Sequence, residues 1–171
     1  MSAELKNESL RLAWMSPEQL AENPANWRTH PEAQKTALDG ALREIGWAGA
    51  CLWNERTKRL IDGHLRRKVA YEQGTEKIPV LIGDWSEADE KKIIATLDPL
   101  SAMAEASVPA LDALLREVSI ESGPLATMLT RLAEEHGITP PDFQPVSADE
   151  QGRLDEKAKV TCPECGHEFT P

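Results

Sequence analysis

Apolar and polar positions alternate along Arg11-Leu12-Ala13-Trp14-Met15, which predicts a first strand. Ser16-Pro17-Glu18-Gln19-Leu20 follows with a capping serine, a proline at the first helical position and a glutamine suited to a capping box, so a short helical turn is expected. Thr29-His30-Pro31-Glu32 has the same kind of start signal, and Leu38, Ala41, Leu42 and Ile45 recur at helical spacing until Gly46, predicting a helix with one apolar face. Cys51-Leu52-Trp53-Asn54 and Arg59-Leu60-Ile61 form a predicted hairpin across Glu55-Arg56-Thr57-Lys58, and a helix is expected from His64 to about Gln73, ending near Gly74. Ile78-Pro79-Val80-Leu81-Ile82 reads as the next strand, with Pro79 near its start or on an edge. Ser86-Glu87-Ala88-Asp89 caps a helix expected to reach about Leu97 and to break at Pro99. Strands and helices alternate, which is the pattern of a mixed α+β domain.

Beyond residue 100 the pattern is helical. Leu111, Leu114, Leu115 and Val118 share one face, as do Leu125, Met128, Leu129 and Leu132, with Ser122-Gly123-Pro124 between the two sets. A helical hairpin over 105–138 is expected, packing on the main domain or self-associating. A DNA-reading pair is disfavoured because neither helix carries the basic and amide side chains that reach bases and phosphates. The acidic, proline-containing stretch 139–160 reads as a linker. The expected organisation is a polar arm over 1–9, an α+β domain over 10–100, the hairpin, the linker, and a short tail over 161–171.

Charge narrows the function classes. With 19 Lys and Arg against 29 Asp and Glu, the net charge is −10, which opposes indiscriminate binding to a polyanion and leaves room only for local phosphate contacts. The basic side chains gather at Arg56, Lys58, Arg59, Arg66, Arg67 and Lys68, while acids dominate after residue 84. Such asymmetry suits a nucleotide pocket, a small phosphate patch or a docking face for a basic partner. No apolar run reaches membrane-spanning length and the first residues are polar, so a cytoplasmic protein is expected.

The cysteines number three, too few for a disulfide framework. Cys162-Pro163-Glu164-Cys165-Gly166-His167 has the spacing of a zinc knuckle, with Cys162, Cys165 and His167 as candidate ligands. It supplies at most three of the four ligands of a structural zinc site, so two tails would share one metal in a homodimer, or the tail is a remnant. Redox chemistry fits less well, because such pairs act at a helix start in a βαβ setting.

The densest candidate chemistry lies at Ile61-Asp62-Gly63-His64-Leu65-Arg66. An apolar run ends in a glycine that permits a tight turn, and the following helix would present open N–H groups and its dipole to an anion that Arg66 grips. A strand–turn–helix with a solvated basic face is the alternative for the same residues.

The order Asn23-Pro24-Ala25-Asn26-Trp27-Arg28, helix, Gly46-Trp47, Gly63-His64-Leu65-Arg66, Ile78-Pro79-Val80-Leu81 resembles the ParB N-terminal domain of the ParB/sulfiredoxin superfamily over about Leu10 to Asp98. It looks closest to the Gly-His-x-Arg variants found in phage and mobile-element proteins and beside DNA methyltransferases. The resemblance implies a ParB/sulfiredoxin-like mixed sheet with packed helices, and a site for CTP or another nucleotide with Mg, or for DNA phosphate. Its phosphate contacts would come from Arg28, Gly46, Trp47, Gly63, His64, Arg66 and Lys68. Several of these have a plainer alternative: Arg28 pairing with an acid, Trp47 in the core, His64 capping or packing. Asn23 is expected to organise its loop through backbone bonds.

Departures from the family pattern shape the expectation. His64 stands for a Glu, Leu65 for the first Arg, Lys68 for a later Arg, and Thr96-Leu97-Asp98-Pro99-Leu100 for a Glu-Asn-x-Gln-Arg segment. A partition-type CTP-driven clamp is therefore not expected, nor a centromere-reading domain, and sulfiredoxin chemistry lacks its cysteine. Asp62 and His64 are thin candidates for metal-dependent nuclease or nucleotidase chemistry. The leading expectation is a nucleotide- or DNA-phosphate-binding module in a phage or mobile-element DNA process. The other is a non-catalytic adaptor for a DNA-modifying or DNA-packaging partner.

Overall fold

The structure is a computed structural model and describes residues 10–139 together with the strand residues 160–161 and 168–169. The first of these stretches belongs to one compact unit and the strand residues to a second. In the first unit a strand, β1 (Arg11–Met15), leads through a 3₁₀ turn at Pro17–Gln19 into a loop and then α1 (Glu32–Glu44). The hairpin β2 (Cys51–Asn54) and β3 (Arg59–Asp62) is followed by α2 (His64–Glu72), β4 (Ile78–Gly83) and α3 (Glu87–Ala102). Two further helices, α4 (Val108–Glu117) and α5 (Gly123–Glu135), complete it. The class is mixed α+β, as the alternation of patterns predicted.

The four strands form one sheet in the order β1-β4-β2-β3. β1 runs antiparallel to β4 from Arg11↔Ile82 to Met15↔Ile78, whereas β2 runs parallel to β4 from Cys51↔Val80 to Asn54↔Gly83. The hairpin partner β3 is antiparallel to β2, with a shift of register between Leu52 and Trp53. One sheet face carries Cys51, Trp53, Leu60, Ile78, Val80 and Ile82, which with Leu20 and Ala70 make the core, edged by Ala13, Met15 and Trp47. Each fully buried Leu or Ile there contributes about 1.5–3 kcal/mol by leaving water.

A buried polar cluster stands beside that core. Glu90 on α3 is 2% exposed and accepts hydrogen bonds from Asn23 Nδ2 (2.8 Å), Asn54 Nδ2 (2.6 Å) and the Thr57 hydroxyl. Asn54 Nδ2 also donates to the Trp85 carbonyl (3.0 Å), and its Oδ1 accepts from the Trp85 N–H (3.0 Å). One carboxylate thus fastens the loop after the 3₁₀ turn, the end of β2 and the hairpin turn to a single helix.

The local expectations hold at the capping box of Ser16 and Gln19 and at the Ser86 cap, which accepts from the Asp89 N–H at 3.1 Å. Others are corrected. Pro31, not Thr29, occupies the cap position of α1, with no side-chain bond, and Ile45 is 65% exposed while Ala37 supplies the buried contact. Of the two places expected for Pro79, the strand start holds and the edge does not: it is the second residue of β4, an interior strand, and the parallel ladder to β2 begins one residue later, at Val80, so the missing N–H falls before it. α3 does not break at Pro99 but continues to Ala102. Pro99 and Ala95, whose carbonyl loses its partner, are both exposed, so the lost bond does not leave a buried carbonyl unsatisfied.

The two later helices are unequal. α5 packs mainly against α1, and α4 touches α5 more lightly, with no residue of α4 buried. The start of α5 is clamped to the end of α1: Glu44 accepts from the N–H groups of Glu121 (3.0 Å) and Ser122 (2.9 Å). Gly40 makes this approach possible, since a Cβ there would run into the Ser122 side chain. In the second unit β5 (Val160–Thr161) pairs antiparallel with β6 (Glu168–Phe169). The predicted metal ligands Cys162, Cys165 and His167 lie outside the described residues.

Candidate functional site

β3 delivers Asp62 to the sheet's end, and Gly63 turns the chain into α2. Gly63 adopts φ +85° at the cap position, and a Cβ on it would lie 2.7 Å from Cys51 Sγ and 3.0 Å from Cys51 Cα. Both the backbone angle and the close approach of β2 therefore require glycine. Beneath the turn, Cys51 Sγ contacts the Gly63 carbonyl at 3.5 Å, and burial pushes the thiol up to about 11, so it stays protonated and serves packing. α2 starts with no side-chain cap, leaving first-turn N–H groups and the positive end of the dipole at the mouth of a cavity.

Two arginines converge there from different elements. Arg28, from the loop before α1, reaches Asp62 Oδ1 with Nη1 at 3.2 Å, and Arg66, one turn into α2, reaches Asp62 Oδ2 with Nη2 at 2.7 Å. Arg66 Nη2 also donates to the Ala50 carbonyl (3.2 Å), and Arg28 forms a second ion pair with Asp98 on α3. The result is a row of alternating charge, Asp98–Arg28–Asp62–Arg66, formally neutral and partly buried. The row leaves donors over: Arg28 Nη2 and Arg66 Nε are buried with no hydrogen-bond partner. Buried guanidinium N–H groups without acceptors are costly and mark a place where an anion would be welcome.

His64 lies just inside the site. Its Nε2 accepts from the Asn23 backbone N–H at 3.4 Å, and burial, reinforced by the Arg28 charge, holds its pKa below the ordinary 6.5. It is therefore a neutral imidazole at neutral pH, with its proton on Nδ1 if Nε2 is to accept. The expected phosphate-facing histidine thus also braces the loop. Asn23 does organise that loop, through Ala25 N–H to its Oδ1 (3.0 Å), and further ties it to Glu90. Burial alone would raise the Glu90 carboxyl; the bonds from Thr57, Asn54 and Asn23 outweigh it and bring the pKa below the usual 4.5.

The cavity encloses about 470 Å³. Arg28, Asp62, Gly63, His64, Arg66 and Asp98 form one end, and α1 and α5 wall the other. Four predicted contacts, Arg28, Gly63, His64 and Arg66, are brought together. Gly46, Trp47 and Lys68 are not among the lining residues: Trp47 packs at the core's edge, and Lys68, exposed, lines another cavity of about 230 Å³ that shares His30, His64 and Leu65 with this one.

Of the basic residues in 56–68, Arg66 alone lines the larger cavity. Arg56 pairs with Asp84 (2.7 Å), Lys58 lies 5.2 Å over the Trp53 ring, and Arg67 donates to the Pro17 carbonyl (2.9 Å). The run is thus spread among acids and rings. Sequence reading missed Asp98 as the partner of Arg28 and Glu90 as a buried anchor. A signal for Asp98 was its place in the Thr96–Leu100 segment, which stands where the family pattern has a nucleotide-contacting motif.

No family model matches the chain, and no curated protein matches it. Among solved structures, it is similar to a C-terminally truncated chromosome-partitioning protein ParB from Caulobacter crescentus complexed with CTP-gamma-S. The identity is 16% and the TM-score 0.52, over 77% of this chain and 73% of that one. It is also similar to two structures of pNOB8-like ParB N-domains, at 16% and 17% identity with TM-scores of 0.47 and 0.48. These cover 97% and 99% of this chain but only 59% and 56% of theirs, so the chain spans less than two thirds of either. The likeness to the truncated ParB is one of fold.

Proposed function

We propose that this chain, with its ParB N-terminal-domain fold, is a ParB-like module that binds the phosphates of a nucleotide or of DNA through Arg28, Gly63, His64 and Arg66, in a phage or mobile-element DNA process. The observation that carries the reading is that Arg28 and Arg66 line one cavity with Gly63 and His64, where α2 starts without a side-chain cap, while Arg28 Nη2 and Arg66 Nε are buried with no hydrogen-bond partner. A phosphate group offers acceptors of the geometry guanidinium forks require, and the helix dipole favours its charge. CTP or another nucleotide fits this donor set, and magnesium would accompany its phosphates.

The experiment is a thermal-shift titration of wild type and Arg66→Ala with CTP, ATP, GTP and a short DNA duplex, with and without magnesium. Stabilisation by a ligand at the wild type, lost in the variant, supports the reading. No stabilisation by any of them overturns it.

A second reading, an adaptor docking to a DNA-modifying or DNA-packaging partner, draws support from α4, whose apolar face leaves Leu114 56% exposed. A nuclease reading draws none from the geometry, because both Asp62 oxygens already serve guanidinium groups and His64 Nε2 serves Asn23. Zinc at Cys162, Cys165 and His167 remains part of the proposal, motivated by their spacing; zinc content of the purified protein tests it.

A further inference from the structure

Trp27 precedes Arg28 in the chain, and both side chains are received by α3. The Trp27 indole Nε1 donates to the Ile94 carbonyl at 3.4 Å, and Arg28 pairs with Asp98, four residues further along the same helix. Residues four apart share a helix face about one turn from each other, so α3 holds the indole and the guanidinium as neighbours. The ring is anchored by its N–H and yet 59% exposed. It is not among the residues lining the cavity that Arg28 enters, so it flanks that cavity from outside. Trp14 is equally exposed, at 60%, but it lies on β1, with β4 and β2 between it and the strand that carries Asp62. A lone exposed tryptophan needs no explanation. Trp27 is set apart by being fixed, and by standing beside an arginine with a buried donor that has no partner.

We infer that the exposed Trp27 ring stacks the unpaired base of a nucleotide unit whose phosphate sits on Arg28 and Arg66. The inference rests on the phosphate-binding reading above and deepens it by saying where the base goes. A base and its phosphate are joined through one sugar, a span comparable with the single helical turn that separates the two side chains' anchors. Cation for the backbone and ring for the base is the combination by which proteins hold single-stranded nucleic acid. In a duplex each base is already stacked and its faces are closed to the indole, so this seat takes a free nucleotide or a single strand and not paired DNA. Because the ring is already held in one orientation, little freedom is lost when a base covers it. With a net charge of −10 the chain can gather few phosphates, so the base contact supplies affinity that charge does not.

Calorimetric titration of the full chain tests this with sodium tripolyphosphate, CTP, ATP, a single-stranded oligothymidylate and its duplex with oligoadenylate. The proteins are wild type, Trp27→Ala, Trp27→Phe and Trp14→Ala, and unliganded melting temperatures verify that each variant folds. Trp27→Ala is expected to weaken the nucleotides or the single strand about tenfold, the scale of one lost stacking contact, and to leave tripolyphosphate and the duplex unchanged. Trp27→Phe keeps a ring and should bind within about threefold of wild type, while Trp14→Ala should change nothing. Tryptophan emission gives a reading that does not need the alanine variant: base binding should quench it in wild type and Trp14→Ala but not in Trp27→Phe. A loss confined to the single strand assigns the seat to nucleic acid, a loss for CTP and ATP assigns it to a free nucleotide, and either supports the inference. No loss for nucleotides and strand alike, an equal loss for tripolyphosphate or the duplex, an equal loss in Trp14→Ala, or quenching that survives in Trp27→Phe would each overturn it while leaving phosphate binding intact. Absence of binding by every ligand would overturn both.

Discussion

Glu90 and Asp62 are both carboxylates gripped by donors from distant parts of the chain, and they differ in what those donors have left over. Glu90 is sealed, its oxygens meeting two amides and a hydroxyl, none of which is left without a partner. Asp62 lines a cavity, and the two guanidiniums that hold it retain unpaired N–H groups. Neutral donors around a buried anion make a joint of the fold. Surplus cationic donors around a partly buried anion make a place that a stronger anion can enter.

The sharpest way to break this contrast is to remove each carboxylate. Glu90→Ala leaves the Asn23 amide buried without its acceptor and takes one of two acceptors from the Asn54 amide, and is expected to cost about 3 kcal/mol or more in urea denaturation. Gly63→Ala should follow at about 2–3 kcal/mol, from the left-handed backbone and the encroachment on Cys51. Arg66→Ala is expected to lower tripolyphosphate affinity by about tenfold or more, with a smaller effect on stability. Asp62→Asn keeps one acceptor oxygen but withdraws the anion shared by two largely buried guanidiniums, so it should cost less than Glu90→Ala, about 1–2 kcal/mol, and strengthen tripolyphosphate binding severalfold by freeing guanidinium donors. If Asp62→Asn instead unfolds the protein while Glu90→Ala is tolerated, the assignment of joint and site is reversed.

The smallest effect is on pH. The folded pKa of His64 lies below 6.5, so its contribution to stability is complete above that value and is lost as pH falls through the folded pKa. Glu90 is depressed below 4.5, and its contribution is likewise lost on the acid side, at lower pH. Melting temperatures should therefore decline in two steps from pH 7.5 to 3. Glu90→Gln, if it folds, should remove the lower step only, and a single step in wild type would contradict the two-group account.

Much of the domain was legible along the chain because its signals are local. Strand alternation at Arg11–Met15, the Ser16 capping box, the β2–β3 hairpin and the glycine opening α2 depend on neighbours a few residues apart. Gly63, Arg66 and Arg28 stood out as candidates by type and motif order, and the structure brings them together with His64 around one cavity. Where motif order and placement part, a non-local partner decided: Trp47 packs at the core's edge, and Lys68 lines a smaller cavity that shares His64. Pro99 looked like a helix end, yet its solvent-facing position lets α3 continue.

By itself the sequence determined the element order, the tight turn at Gly63 and the presence of two arginines suited to an anion, because backbone preference and periodicity act over a few residues. Only the tertiary structure decided that Asp62 and Asp98 hold those arginines, that Glu90 is buried, and that α5 supplies an apolar wall. Ion pairing, burial and cavity shape depend on which distant surfaces meet, and a charged run such as Glu87–Lys92 looks the same along the chain whether one of its members faces water or the core.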